Sequence, residues 1–255
     1  MRTFFTVLRI PLRLRVERTL LLGVVCLLLS PIATFAQIVH TWQGGASGDW
    51  GTASNWTNGV PLALGIVTFD NGSTITVTGV PNTIISGLVV SNTTKVNLEA
   101  APATAKTLTI SNGIASIDLS VAAGSELNIS GTTAFNIRLA NGAVGTISGN
   151  MTFSDSPGSI AHSIDATTTG NLQFASGAVF TQDCIGDVFG TTGNDKTVVF
   201  LAGSAFISQD GSGPFGKLAP NTKVDFRTGS LYSHQQSAAP SFSGRTYADF
   251  EMNYA

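Results

Sequence analysis

Cysteine is nearly absent from this chain: there are two in 255 residues, Cys26 and Cys184. Only Cys184 lies beyond the first 36 residues, so the remainder holds no internal disulfide and relies on burial and backbone pairing for stability. No cation flanks that thiol in sequence, which marks it as a buried, inert cysteine rather than a reactive one. Charge is scarce as well, with Asp, Glu, Lys and Arg together making 11% of the residues. Surface helices carry Lys and Glu on their wet face, and so little charge argues against them. From residue 37 onward 8 Lys or Arg stand against 14 Asp or Glu, a net charge near −6. That sign speaks against nucleic acid and anionic lipid, both of which reward clustered cations. No apolar run past residue 36 approaches 18 residues, which leaves no transmembrane helix in that part. A sustained 3.6-residue period is missing too.

The first 36 residues read differently. Arg2, Arg9, Arg13, Arg15 and Arg18 precede an apolar run from Leu20 to Leu29, and Ala33-Thr34-Phe35-Ala36 follows. A basic stretch, a short apolar core and a small-x-small site are the parts of a secretory signal, with cleavage expected after Ala36. The run is too short to span a bilayer, which takes about 20 apolar residues. Cys26 sits inside it rather than just behind it, against lipid attachment. The expected product is therefore exported, extracellular or on a cell surface, and begins at Gln37.

What the chain does have is Gly, Ser, Thr and Asn around short β-branched runs. All three tryptophans, Trp42, Trp50 and Trp56, fall in one block of turn formers that ends at Pro61. Residues 37–80 are expected to form a Trp-rich cap or a first strand unit. The alternative role for Trp42, Trp50 and Trp56 is stacking on sugar rings. After Pro61 come runs such as Ile66-Val67-Thr68-Phe69 and Thr74-Ile75-Thr76-Val77-Thr78, stopped by Asp70-Asn71-Gly72 and Gly79-Val80-Pro81. Asn-Gly at 58–59, 71–72, 112–113 and 141–142 would suit type I′ turns if neighbouring strands paired as hairpins.

The second half repeats itself instead. Phe174-Ala-Ser-Gly177-Ala-Val-Phe180 returns as Phe200-Leu-Ala-Gly203-Ser-Ala-Phe206 and again as Phe226-Arg-Thr-Gly229-Ser-Leu-Tyr232, a step of 26 residues each time. By residue type Thr181-Gln182-Asp183 returns one residue late as Ser208-Gln209-Asp210, which predicts a one-residue insertion absorbed in a loop. A constant period of two or three short strands predicts an all-β fold, a parallel β-solenoid (β-helix) with about 26 residues per coil over residues 81–255. Upstream, runs at 108–110, 117–119 and 127–129 are spaced by nine or ten residues, and runs at 137–139, 144–147 and 151–153 continue the rhythm. A β-sandwich would share the short strands but does not explain repetition of a whole 26-residue pattern.

The opening Trp-rich block, the Phe-x-x-Gly-(Ala/Ser)-x-(Phe/Tyr) ladder and the closing Ser243-Gly244-Arg245-Thr246-Tyr247-Ala248 together resemble bacterial surface or secreted β-strand-repeat proteins. The resemblance implies a parallel β-helix displayed or secreted by a bacterium, followed by a C-terminal sorting or anchoring region. It brings no catalytic residues. The sequence shows no such region before Ala255, so truncation of the solenoid is one expectation.

Three patterns invite a chemical reading. Gly211-Ser-Gly213-Pro-Phe-Gly216-Lys217 matches G-x-G-x-x-G, but Leu218-Ala219-Pro220 follows where a phosphate loop needs a helix, so no nucleotide site is expected. Asp183, Asp187 and Asp210 are expected in equivalent loops of neighbouring coils, an acidic ledge that could hold Ca²⁺ or act as a glycosidase pair. Solvated loop acids are the plainer reading. His40, His162 and His234 are far apart in sequence and are assigned to surface or loop, with no zinc spacing among them. No cofactor and no metal are expected. The leading function is a structural or adhesive extracellular protein without catalysis, with surface glycans or other envelope proteins as partners. A glycan-binding module and a polysaccharide-degrading enzyme are the alternatives. A uniformly Thr/Asn/Ser-faced sheet would favour the structural reading.

Overall fold

A computed structural model describes residues 37–111, 118–155 and 158–254. The signal segment expected at 1–36 and the Asn-Gly at 112–113 lie outside the described residues. The described chain is all-β: its strands assemble into three parallel sheets, and one 3₁₀ turn, Ala53–Asn55, is the sole helical element among the described residues. No helix among them is long and apolar enough to cross a membrane.

The first sheet orders Val39–Thr41, Ile66–Phe69, Gly87–Val90, Leu119–Val121, Gly145–Ile147, Leu172–Phe174, Val198–Phe200 and Val224–Phe226 side by side. The second runs from Ser47–Asp49 and Thr74–Val80 through Lys95–Ala100, Glu126–Ser130, Asn150–Ser154, Val179–Asp183, Ala205–Ser208 and Leu231–His234 to Asp249–Met252. The third holds Thr83–Ile85, Lys106–Ile110, Phe135–Leu139 and Ser163–Ala166. Between residues 119 and 154 the chain visits first, second, third, first and second sheet in turn. This is the physical origin of the nine-to-ten-residue rhythm of its apolar runs. Pairing passes residue 80 without interruption, since Ile66–Phe69 pairs with Gly87–Val90 and Thr74–Val80 with Lys95–Ala100.

Alternation along each strand sends one set of side chains inward, and parallel registry superposes them. In the first sheet Phe69, Val90, Val121, Ile147, Phe174, Phe200 and Phe226 form one column. In the second, Ile75, Val96, Leu127, Met151, Phe180, Phe206, Tyr232 and Phe250 form another. The rings of Phe174 and Phe200 stack at 4.5 Å and 5°, and those of Phe200 and Phe226 at 5.1 Å and 22°. The expected alignment of these three phenylalanines therefore holds. From Leu172 onward the first sheet pairs each residue with the one 26 later, Leu172 with Val198 and Val198 with Val224. Elsewhere the step varies, as in Ile66 with Gly87 and Leu88 with Leu119, because the connections differ in length.

Several local expectations change. Thr181 pairs with Ile207 and Gln182 with Ser208, so this strand keeps the 26-residue step and the one-residue insertion is not there. Burial decides it: Phe180 and Phe206 must both point inward, and a one-residue slip would turn every side chain over. The strand Thr74–Val80 does not stop at Gly79 but passes it through a register shift between Val77 and Val80. Neighbouring strands are parallel, so the Asn-Gly pairs do not close hairpins. At 59, 72 and 142 only the glycine has positive φ, whereas a type I′ turn needs it at both central residues. The glycines of the Phe-x-x-Gly repeat sit at corners with φ of 85°, 80° and 82° at Gly177, Gly203 and Gly229. Their backbones also pair along the stack, Gly177 N–H to Gly203 C=O and Gly203 N–H to Gly229 C=O.

Past Ala166 the third sheet gives way to two non-strand segments. The first turns Val188 and Phe189 into the core and bonds back through Ile164 N–H to Val188 C=O. The second supplies Phe215.

Candidate functional site

The Trp block closes the first end of the stack. Trp56 lies edge-on to both Trp42 and Trp50, at 5.0 Å in each case, and against Phe69 at 5.8 Å. Trp56 Nε1 donates to Trp50 C=O and Trp42 Nε1 to Gly45 C=O. Gly44 and Gly48 leave room for this packing, since a Cβ at either would fall 2.6 Å from Trp42 or Asn55. Residues 55–59 then return antiparallel over the outer edge of Val39–Thr41. Thr57 N–H bonds Thr41 C=O, Asn58 Nδ2 bonds Val39 C=O, and the His40 ring N–H donates to Gly59 C=O. The edge is thereby covered, one of the ways proteins manage an open strand. Sugar stacking on these rings is corrected by their burial: Trp42, Trp50 and Trp56 are 3%, 1% and 2% exposed. Rings so deeply buried present no open face to a ligand.

The acidic residues are not equivalent to one another. Asp183 ends a strand and Ser154 is its register partner; Asp210 lies beyond Gln209, and Asp187 in the loop that follows Cys184. Asp183 is exposed at the surface; partial desolvation by its neighbours holds its carboxyl above the usual range, and the charges of Asp155 and Asp210 push it the same way. Asp155 was not legible as a member, because it comes from an earlier pass of the chain. Its N–H bonds Asp183 C=O, and its carboxylate accepts from Ile160 N–H at 2.9 Å. Asp210 accepts from the adjacent Gly211 N–H at 2.6 Å. Asp187, raised by burial alone, lines a separate depression of about 270 Å³ with Lys217, Leu218 and Arg245. The expected single ledge is thus two places. Among the described residues no group of three or more His, Cys, Asp or Glu is arranged to hold a metal.

The glycine-rich segment is a series of turns without a following helix, and Gly211, Gly213 and Gly216 all take positive φ. Lys217 is committed to Asp195 Oδ1 at 2.6 Å and Gly193 C=O. The histidines also differ from expectation, for all three are buried: His40, His162 and His234 are 1–3% exposed. His234 accepts from Tyr232 Oη–H and donates to Ala238 C=O, whereas His162 has no hydrogen-bond partner at either ring nitrogen.

The most unexpected group is ionic. Lys223 is fully buried, with Nζ 3.3 Å from Asp165 Oδ1 and donating to the carbonyls of Ala166 and Thr192. Arg138 approaches the other Asp165 oxygen at 3.7 Å. Burial lowers the Lys223 pKa, while Asp165 opposes that shift. With all three ammonium donors engaged, Lys223 ties the two non-strand segments to the end of the third sheet. This is a structural pair.

No protein-family model, no curated protein and no solved structure matches this chain.

Proposed function

We propose that this chain is an exported parallel β-solenoid of about 26 residues per coil, acting as a rigid structural or adhesive element of a bacterial envelope without catalysis. One observation carries the reading. The outward column at the centre of the second sheet reads Thr76, Asn97, Asn128, Thr152 and Thr181 in register. Beneath it runs the unbroken apolar column from Ile75 to Phe250. The polar run spans five layers before Ile207 takes the next place in the column. A polar face over a continuous core is what a stalk or passive display surface needs: each layer contacts only its neighbours, and rigidity extends along the stack. Lys95 and Glu126 flank the face as an ion pair at 3.3 Å between adjacent strands. Surface glycans or other envelope proteins are the partners this face suits.

The test combines location with activity. Fractionation of the producing cells should find the protein outside the cytoplasm with Gln37 at its N-terminus. Its incubation with plant, algal and bacterial polysaccharides should release no reducing sugar. Retention of the Arg-rich N-terminus would overturn the export reading, and release abolished by Asp183→Asn or Asp210→Asn would replace it with an enzyme.

A further inference from the structure

His162 stands just before the strand Ser163–Ala166, 1% exposed and with neither Nδ1 nor Nε2 hydrogen-bonded. Buried polar groups are normally partnered, and a buried charge without partners is costlier still. Its main chain holds something else in place, because Cys184 Sγ–H donates to the His162 carbonyl at 3.8 Å. Cys184 is itself fully buried. We propose that His162 is an acid-sensitive latch: its protonation loosens the start of the Ser163–Ala166 strand and uncovers Cys184.

The charged groups around the latch come from every segment packed on it. Asp155 is the acid that acts on His162 directly, and its carboxylate is already engaged by Ile160 N–H. Asp183 and Asp210 act with Asp155 on the neighbouring Cys184 thiol. Glu99 packs against Gly131, whose backbone approaches the imidazole without completing a hydrogen bond. Burial is the largest influence on His162 and lowers its pKa; the Gly131 backbone and Asp155 pull the other way. The sign follows. A folded-state pKa below the unfolded value near 6.5 means that the unfolded chain binds protons first. Stability is full above about pH 6.5 and is lost as pH falls through that value toward the folded one.

Cys184 reports the opening. The full chain is treated with a pyridyl disulfide reagent, and labelling of the Cys184 peptide is followed by mass spectrometry, with a small thiol correcting for the reagent's own pH dependence. Labelling should rise by up to about tenfold between pH 7.5 and 5.5, the limit set by protonation of the opened imidazole at its ordinary value near 6.5. In His162→Gln, or in His162→Phe if the polar replacement disturbs packing, the rate should be flat. Hydrogen exchange of the unmodified protein gives an independent reading, with acid-induced exchange concentrated in residues 160–166 and 184–188. Labelling that does not change with pH, an equal rise in the variants, or exchange that increases evenly along the chain would each overturn the latch.

Discussion

Phe200 is held by rings on every side: Phe174 and Phe226 above and below, Phe189 and Phe206 across the core. Truncation to Ala leaves a cavity that adjacent layers cannot close, because their backbones are tied by parallel ladders. Phe200→Ala should cost about 3–5 kcal/mol in urea unfolding of the mature chain; a loss under 1 kcal/mol would mean the column is loosely packed. Asp183 behaves in the opposite sense. Its carboxyl is raised by partial desolvation, then by Asp155 and Asp210, so the folded state prefers it protonated. The penalty is present at neutral pH and disappears as pH falls through the folded value. Asp183→Asn should therefore raise the melting temperature at pH 7 and leave it unchanged at pH 3. Repetition made Phe174, Phe200 and Phe226 readable as a column, but nothing repeated marks Lys223 or Asp165. Lys223 sits next to Val224, in the same row as Thr197 beside Val198, and a buried cation there follows only from acceptors that the fold brings from residues 165, 166 and 192.

At the scale of an element, the cap and the corners differ in what stabilises them. Trp56 touches Trp42, Trp50 and Phe69 and donates to Trp50 C=O, so the antiparallel return at 55–59 depends on it. The sequence showed three tryptophans among turn formers, which was enough to expect a cap. It could not show that a strand edge lies beneath, since that edge is made by pairing far along the chain. Two glycines separate sterics from conformation. A Cβ at Gly149 would lie 2.2 Å from Ser125 C=O and 2.4 Å from Ala122 C=O, a clash with backbone that cannot move aside. At Gly177 a Cβ meets nothing within 4 Å, and φ of 85° is the whole constraint. Gly177→Ala should cost about 1–2 kcal/mol, the usual left-handed penalty. Gly149→Ala should cost more, since its clash is with fixed carbonyls. Denaturant titration of both settles the order, and an equal or reversed ranking would contradict the packing at Gly149.

Across the whole molecule, the two ends of the stack are finished differently. The first carries the Trp layer and a covered strand edge. At the other, Leu218, Phe242, Met252 and Tyr254 remain exposed around Asp249–Met252. The all-β class and the 26-residue pairing step of the strands from Leu172 onward were legible because these segments are nearly identical in length and keep aromatic residues in the same places. The acidic ledge was misread for a related reason. Aligning Gln182-Asp183 with Gln209-Asp210 by residue type shifts the register by one, and only burial of Phe180 with Phe206 fixes the true pairing of Gln182 with Ser208. That registry can be measured directly. In a Cys26→Ser, Cys184→Ser background, Thr181→Cys with Ile207→Cys places two thiols outward on adjacent strands, whereas Thr181→Cys with Ser208→Cys places the second in the core. A short bis-thiosulfonate reagent should join the first pair within one chain and leave the second unjoined. Joining of 181 to 208, or of neither pair, would contradict the stacked-coil account.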